Sequence, residues 1–91
     1  MILMTRDEIN EFCETVVPSE AVIVPDGLDN AFIGVALDED PTRAVYSIEK
    51  CIEILAKEMK PDEAEEYFWV NVAGSRGEGY PIFISTPEET Y

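Results

Sequence analysis

Two runs rich in β-branched and aromatic residues, AFIGVAL at 31–37 and RAVYS at 43–47, flank the loop DEDPT, and this pairing constrains the fold more than any other feature of the chain. Such runs suit a pleated, half-buried surface, and a loop of this length between them reads as a hairpin larger than the two-residue kind. Gly34, inside the first run, marks a bulge or a close backbone approach. A hairpin alone is marginal in water, so the rest of the chain has to cover one of its faces. A chain of 91 residues buries only about 60% of its unfolded surface, which leaves room for one core and a single domain over 1–91.

The covering elements read as helices. Thr5 followed by Glu8 has the form of a capping box, and Ile9, Phe12, Cys13, Val16 and Val17 then recur at helical spacing until Pro18, which predicts a first helix over 6–16. AVIV (21–24), closed by Pro25-Asp26-Gly27, is a candidate short strand. Ser47 is placed to cap a second helix over 48–59, with Ile48, Cys51, Ile52, Leu55 and Met59 on one stripe and Glu53 with Lys57 as an i,i+4 pair. Pro61, Asp62 and Glu63 suit the first turn of a third helix, whose inward face is Ala64, Tyr67, Phe68 and Val72 and which ends at Gly74. The same count places Asn71 inward and Trp69 outward, because successive helical residues point about 100° apart. YPIFIS (80–85) reads as a last strand, kept to a sheet edge by its proline, and residues 86–91 as a frayed tail. The order α-β-β-β-α-α-β predicts an α+β fold: a small two-layer domain with a mostly antiparallel sheet of three to four strands against about three helices. Open sheet edges on so small a body invite a homodimer.

Charge narrows the function classes. Twenty acidic residues against six basic ones give a net charge of -14. That surplus repels phosphate backbones and anionic membranes, so neither direct nucleic-acid binding nor membrane association is expected, and a partner with a basic surface suits the chain better. The same charge also serves solubility, and both readings stand. A hydrophobic content of 46% and its patterning argue against disorder. The apolar start MILM is soon interrupted by Arg6, Asp7 and Glu8, so the chain reads as soluble and intracellular. Cys13 and Cys51, with no histidine and no CxxC, indicate neither a zinc site nor a disulfide scaffold and read as buried, reduced thiols. The absence of histidine also removes Ser/His and Cys/His nucleophiles, and no catalytic residue, metal or cofactor is expected.

The glycines of FWVNVAGSRGEGYPIF (68–83) raise the question of a phosphate loop. Such loops follow a strand and open a helix, because the anion sits on free N–H groups at the helix N-terminus. Here Gly74, Gly77 and Gly79 follow a predicted helix C-terminus and flank Glu78, so the expected role is a left-handed cap at Gly74 and a connection to the last strand. The clustered acids of LDNA and DEDP lack the alternating spacing of a calcium loop. Asp29 or Glu49 is placed to pair with Arg43 or Lys50 near the junction of hairpin and second helix. Trp69, exposed beside carboxylates, suits an anchor for a protein partner, or else packs on the N-terminal segment or a second copy of the chain.

The segments LDNAFIG, RAVYSIEKCIEIL, DEAEEYFWVNVAG and GEGYPIF, spanning about residues 28–84, resemble a group of small acidic proteins encoded by tailed bacteriophages and related mobile sequences. Members of that group more often carry two aspartates where this chain has Asp29-Asn30, and an Ala-Tyr pair where it has Gly-Ser-Arg. The resemblance implies an accessory protein acting in the cytoplasm of a bacterial host. Together with the charge it leads to a non-enzymatic protein that binds and inhibits a host protein with a basic surface, such as a defence nuclease, by mimicking nucleic acid. Carboxylates then stand in for phosphates: Asp7, Glu11 and Glu14 on the first helix, Asp38, Glu39 and Asp40 in the hairpin loop, Asp62, Glu65 and Glu66 on the third helix, with Trp69 as anchor. The alternative is a binder that sequesters a nucleotide or other small molecule through Asp29, Arg43, Asn71 and Arg76.

Overall fold

The structure, a computed structural model, is described over residues 4–74 and 77–87. It is an α+β domain in which three helices and a three-stranded sheet enclose one core. Helix α1 spans Arg6–Val16, and its start is set by the capping box: the Glu8 amide donates to Thr5 Oγ1 at 3.2 Å and the Thr5 amide to Glu8 Oε1 at 2.9 Å. Ile9 and Cys13 face the core, while Phe12 stays 39% exposed and meets the Phe32 ring edge to face. The AVIV segment forms no strand. The Arg6 guanidinium takes the Val24 carbonyl at 3.1 Å and pairs with Asp26, so a group that a ladder would use is bonded to a side chain.

After a 3-10 turn over Asp29–Ala31, strands β1 (Phe32–Ala36) and β2 (Arg43–Ser47) form the expected antiparallel hairpin. The register slips between Phe32 and Gly34, which is the bulge that the glycine signals. Strand β3 (Ile82–Ile84) joins the other side of β2 in parallel, giving the order β1-β2-β3 and a mixed sheet. Parallel pairing needs a long crossover, and residues 48–81 supply it with two helices. Pro81 precedes the first residue of an edge strand, where its missing N–H breaks no ladder.

Helix α2 (Ile48–Leu55) is capped by Ser47, whose Oγ accepts from the Lys50 amide at 3.2 Å. It stops before residue 59 because its last turns tighten, with the Lys57 amide on the Ile54 carbonyl and the Glu58 amide on the Leu55 carbonyl. The ion pair on its surface joins Lys50 to Glu53 at 3.6 Å, not Glu53 to Lys57. Helix α3 (Pro61–Tyr67) passes into a π-helix over Phe68–Val72, closed by the Ala73 amide on the Phe68 carbonyl at 2.8 Å. This wider turn changes the angular advance per residue beyond Phe68, and Asn71 is exposed rather than inward. Tyr67, on the regular helix before it, is 44% exposed instead of inward, leaving Ala64 and Phe68 as the buried pair. Gly74 is not a left-handed cap, since among the described residues only Gly27 and Gly79 have positive φ. A Cβ at Gly74 would collide with the Val70 carbonyl, so the position needs glycine for close approach.

A chain of ring contacts crosses the core from α1 to the π-helix: Phe12, Phe32, Tyr46, Phe83, Phe68 and Trp69, with successive centroids 5.1 to 6.0 Å apart. Most of these pairs meet edge to face, the arrangement favoured by the ring quadrupole. Tyr46 and Phe68, on either side of Phe83 in this series, are fully enclosed. Thr86, at the start of the expected tail, is held in place. The Glu49 carboxylate accepts from the Thr86 amide at 2.8 Å and from Ser85 Oγ at 2.5 Å, and Thr86 Oγ1 lies 2.7 Å from Ser47 Oγ. These bonds, that of Ser85 foremost, hold the Glu49 carboxyl down at a pKa of about 2. Glu49 therefore fastens the chain after β3 instead of pairing with Arg43 or Lys50; the expected tail from residue 88 onward lies outside the described residues.

Candidate functional site

The GEGY sequence answers the question raised by the glycines. Its four residues form a turn in which the Tyr80 amide donates to the Gly77 carbonyl at 3.2 Å and Gly79, at φ +81°, occupies the third position. That is the backbone of a type II turn, in which the third residue takes a positive φ and glycine is preferred there. The ring of Tyr80 lies so close over Gly77 that a Cβ there would come within 2.9 Å of it. The glycines therefore fold a turn onto an aromatic ring, and they lead into strand β3 and not into a helix N-terminus that could receive a phosphate.

The turn is tied to the hairpin loop at two points. Arg43 Nε donates to the Tyr80 carbonyl at 2.6 Å, while its Nη1 pairs with Glu39 at 3.1 Å. Gly79 packs against Pro41, where a Cβ would stand 3.2 Å from the proline Cγ. The loop is fixed from its other side by Glu20, whose two carboxylate oxygens accept from the Thr42 amide at 2.9 Å and the Thr42 hydroxyl at 3.0 Å. Thr42 is only 4% exposed, so these bonds satisfy groups that water does not reach.

Between the loop, the turn and the π-helix lies an open cleft of about 620 Å³. Trp69 and Ala73 line one side, Glu39, Asp40 and Pro41 another, and the chain from Gly77 to Phe83 runs along it with Glu78 and Tyr80. Trp69 is half-exposed yet stands edge-on to the buried Phe68 ring at 5.1 Å, so the core fixes one side of the indole while the rest faces the cleft. The cleft carries Glu39, Asp40 and Glu78 against Arg43, and Arg43 is already bonded to Glu39 and Tyr80.

Of the carboxylates read as partner-binding, Glu39 and Asp40 meet Trp69 in this cleft. Asp7, Glu11 and Glu14 on α1, Asp38 in the loop, and Asp62, Glu65 and Glu66 on α3 are exposed and lie outside it. Arg43 lines the cleft; Asn71 is exposed and does not line it; Arg76 lies outside the described residues. Asp29, in the 3-10 turn, is half-buried, and its Oδ1 and the Tyr46 hydroxyl are buried without a hydrogen-bond partner among the described residues. Burial, and then the Asp29 carboxylate, raise the pKa of Tyr46. Burial also pushes the Cys51 thiol up to about 12 and raises that of Cys13, so neither is a thiolate nucleophile at neutral pH.

Sequence reasoning missed Glu78, Tyr80 and Pro41 as lining residues. The signal was the GEGYP run itself, since a turn with glycine at its third position brings the neighbouring tyrosine and proline back toward the hairpin. Among the described residues there is no group of three or more His, Cys, Asp or Glu side chains placed to hold a metal ion, and no helix long and apolar enough to cross a membrane. Comparison of the chain with protein-family models, with curated proteins and with solved structures finds no match.

Proposed function

We propose that this protein is a non-enzymatic binding protein whose carboxylates engage a basic surface of a partner protein in place of nucleic-acid phosphates. The observation that carries the reading is the distribution of its ion pairs. Three of the six basic residues are held by Asp26, Glu39 and Glu53. Eight of the nine carboxylates read as partner-binding, namely Asp7, Glu11, Glu14, Asp38, Asp40, Asp62, Glu65 and Glu66, are exposed and enter none of those pairs. The negative surplus is thus presented to solvent, where it attracts lysine and arginine on a partner and speeds encounter. In line with the resemblance to phage-encoded acidic proteins, the partner is a host protein that handles nucleic acid, such as a defence nuclease, and the site of action is the bacterial cytoplasm.

The test is capture of partners from bacterial lysate on the tagged protein at low and high salt, with duplex DNA as competitor. Retention of a nucleic-acid-handling protein that weakens with salt and is displaced by DNA supports the reading. A partner held equally at both salt concentrations, indifferent to DNA, contradicts it.

A further inference from the structure

We infer that the cleft between the hairpin loop, the GEGY turn and the π-helix is the docking pocket for an arginine-bearing segment of the partner. This assignment rests on the basic-partner reading and gives it a location. Its volume of about 620 Å³ is within the range of roughly 300–1,000 Å³ that ligand pockets occupy, enough for one long side chain with part of its flanking backbone. The walls combine the two chemistries that a guanidinium uses. Trp69, 50% exposed, and Tyr80, 37% exposed, offer ring surface for planar stacking and cation–π attraction. Asp40 and Glu78 are exposed carboxylates with no ion pair among the described residues, placed to accept its N–H groups. The cleft's own cation does not fill this role: Arg43 is spent on Glu39 and the Tyr80 carbonyl, which leaves three carboxylates against one bonded guanidinium.

The cleft is also built before any partner arrives. Glu20 holds the loop through Thr42, Arg43 ties loop to turn, and Phe68 backs the indole, so little ordering cost accompanies binding. Phe68 and Trp69 open the π-helix, with Phe68 in the core and Trp69 lining the cleft, and π-turns occur often at functional sites. Arginine is chosen over lysine because a planar, weakly hydrated cation matches stacked rings and bidentate carboxylates, whereas a compact ammonium keeps its water.

Trp69 is the only tryptophan, so its emission reports the cleft directly. The experiment titrates the protein with hexa-arginine and hexalysine peptides, following emission and, in parallel, heat of binding. Three proteins are compared: wild type, the cleft variant Asp40→Asn/Glu78→Gln, and Glu58→Gln/Glu63→Gln, which loses the same charge elsewhere on the surface. The expected result is a change in Trp69 emission with hexa-arginine, weaker binding of hexalysine, and a loss of about tenfold in hexa-arginine affinity for the cleft variant. The control variant stays within about twofold of wild type, as expected for screened, distant charge. Melting curves of both variants show whether they are folded. Equal weakening in both variants, equal binding of the two peptides, or heat of binding without any change in emission overturns the pocket and leaves the basic-partner reading intact; absence of hexa-arginine binding overturns the pocket as well. Failure of the lysate capture bears on the reading itself.

Discussion

Gly79 and Gly34 make a matched pair whose substitution by alanine tests how the GEGY turn is held. Gly79 has φ +81°, and a Cβ on it would stand 3.2 Å from Pro41 Cγ. A left-handed conformation costs an L-residue roughly 1–2 kcal/mol, and the crowded contact with Pro41 adds to that, so Gly79→Ala is expected to destabilise by about 2 kcal/mol. For a domain of this size such a loss lowers the melting temperature by roughly 8–16 °C. Gly34 lies in β1 without a positive φ, and its Cβ would meet nothing within 4 Å. Gly34→Ala therefore leaves stability unchanged or raises it by about 0.4–1 kcal/mol, by restricting the unfolded chain. Urea unfolding followed by far-ultraviolet circular dichroism gives both values on one scale. If Gly79→Ala matches wild type, or if the two variants lose stability equally, the type II geometry assigned to the turn is wrong.

The other predictions follow from single contacts. Glu20→Ala leaves the buried amide and hydroxyl of Thr42 without their acceptors and is expected to cost roughly 2 kcal/mol in the same urea assay; no loss would show that the loop is not held there. Glu49 has its pKa lowered from 4.5 to about 2 by Ser85 and Thr86, so its stabilising effect is fully present above about pH 4.5 and disappears as the pH falls toward 2. The difference in melting temperature between wild type and Glu49→Gln is therefore expected to shrink over that window and to stay constant from there to neutrality; a difference unchanged down to pH 2 would contradict the assigned contacts. Both cysteines are buried with raised pKa, so thiol reagents are expected to label them slowly in buffer, Cys51 more slowly than Cys13, and rapidly in denaturing urea; fast labelling of Cys51 in buffer would refute its burial.

What was legible in the sequence was local. The capping box at Thr5 and Glu8, the bulge at Gly34 and the cap at Ser47 are set by residues within a few positions of one another, and periodicity or turn chemistry reads them directly. The parallel placement of β3 was not legible in that way, because it depends on a crossover that covers residues 48–81. Asn71 was misplaced because a constant angle per residue fails at the π-turn. The cleft was half visible: Trp69 could be read as exposed, but its meeting with Asp40, Glu78 and Tyr80 depends on Arg43 and Pro41 drawing the hairpin loop onto the turn. Glu49 shows the same limit, since its partners Ser85 and Thr86 are more than thirty positions away.

The central claim is that anionic side chains replace phosphates on a partner's basic surface. Its most direct measurement is the affinity of a captured, purified partner across a salt series, for wild type and for a variant in which Asp7, Glu11, Glu14, Asp62, Glu65 and Glu66 become amides. The account predicts that wild-type affinity falls steeply with rising salt and that the variant binds more weakly with a shallower slope. Affinity that is independent of salt, and equal for the two proteins, would contradict it.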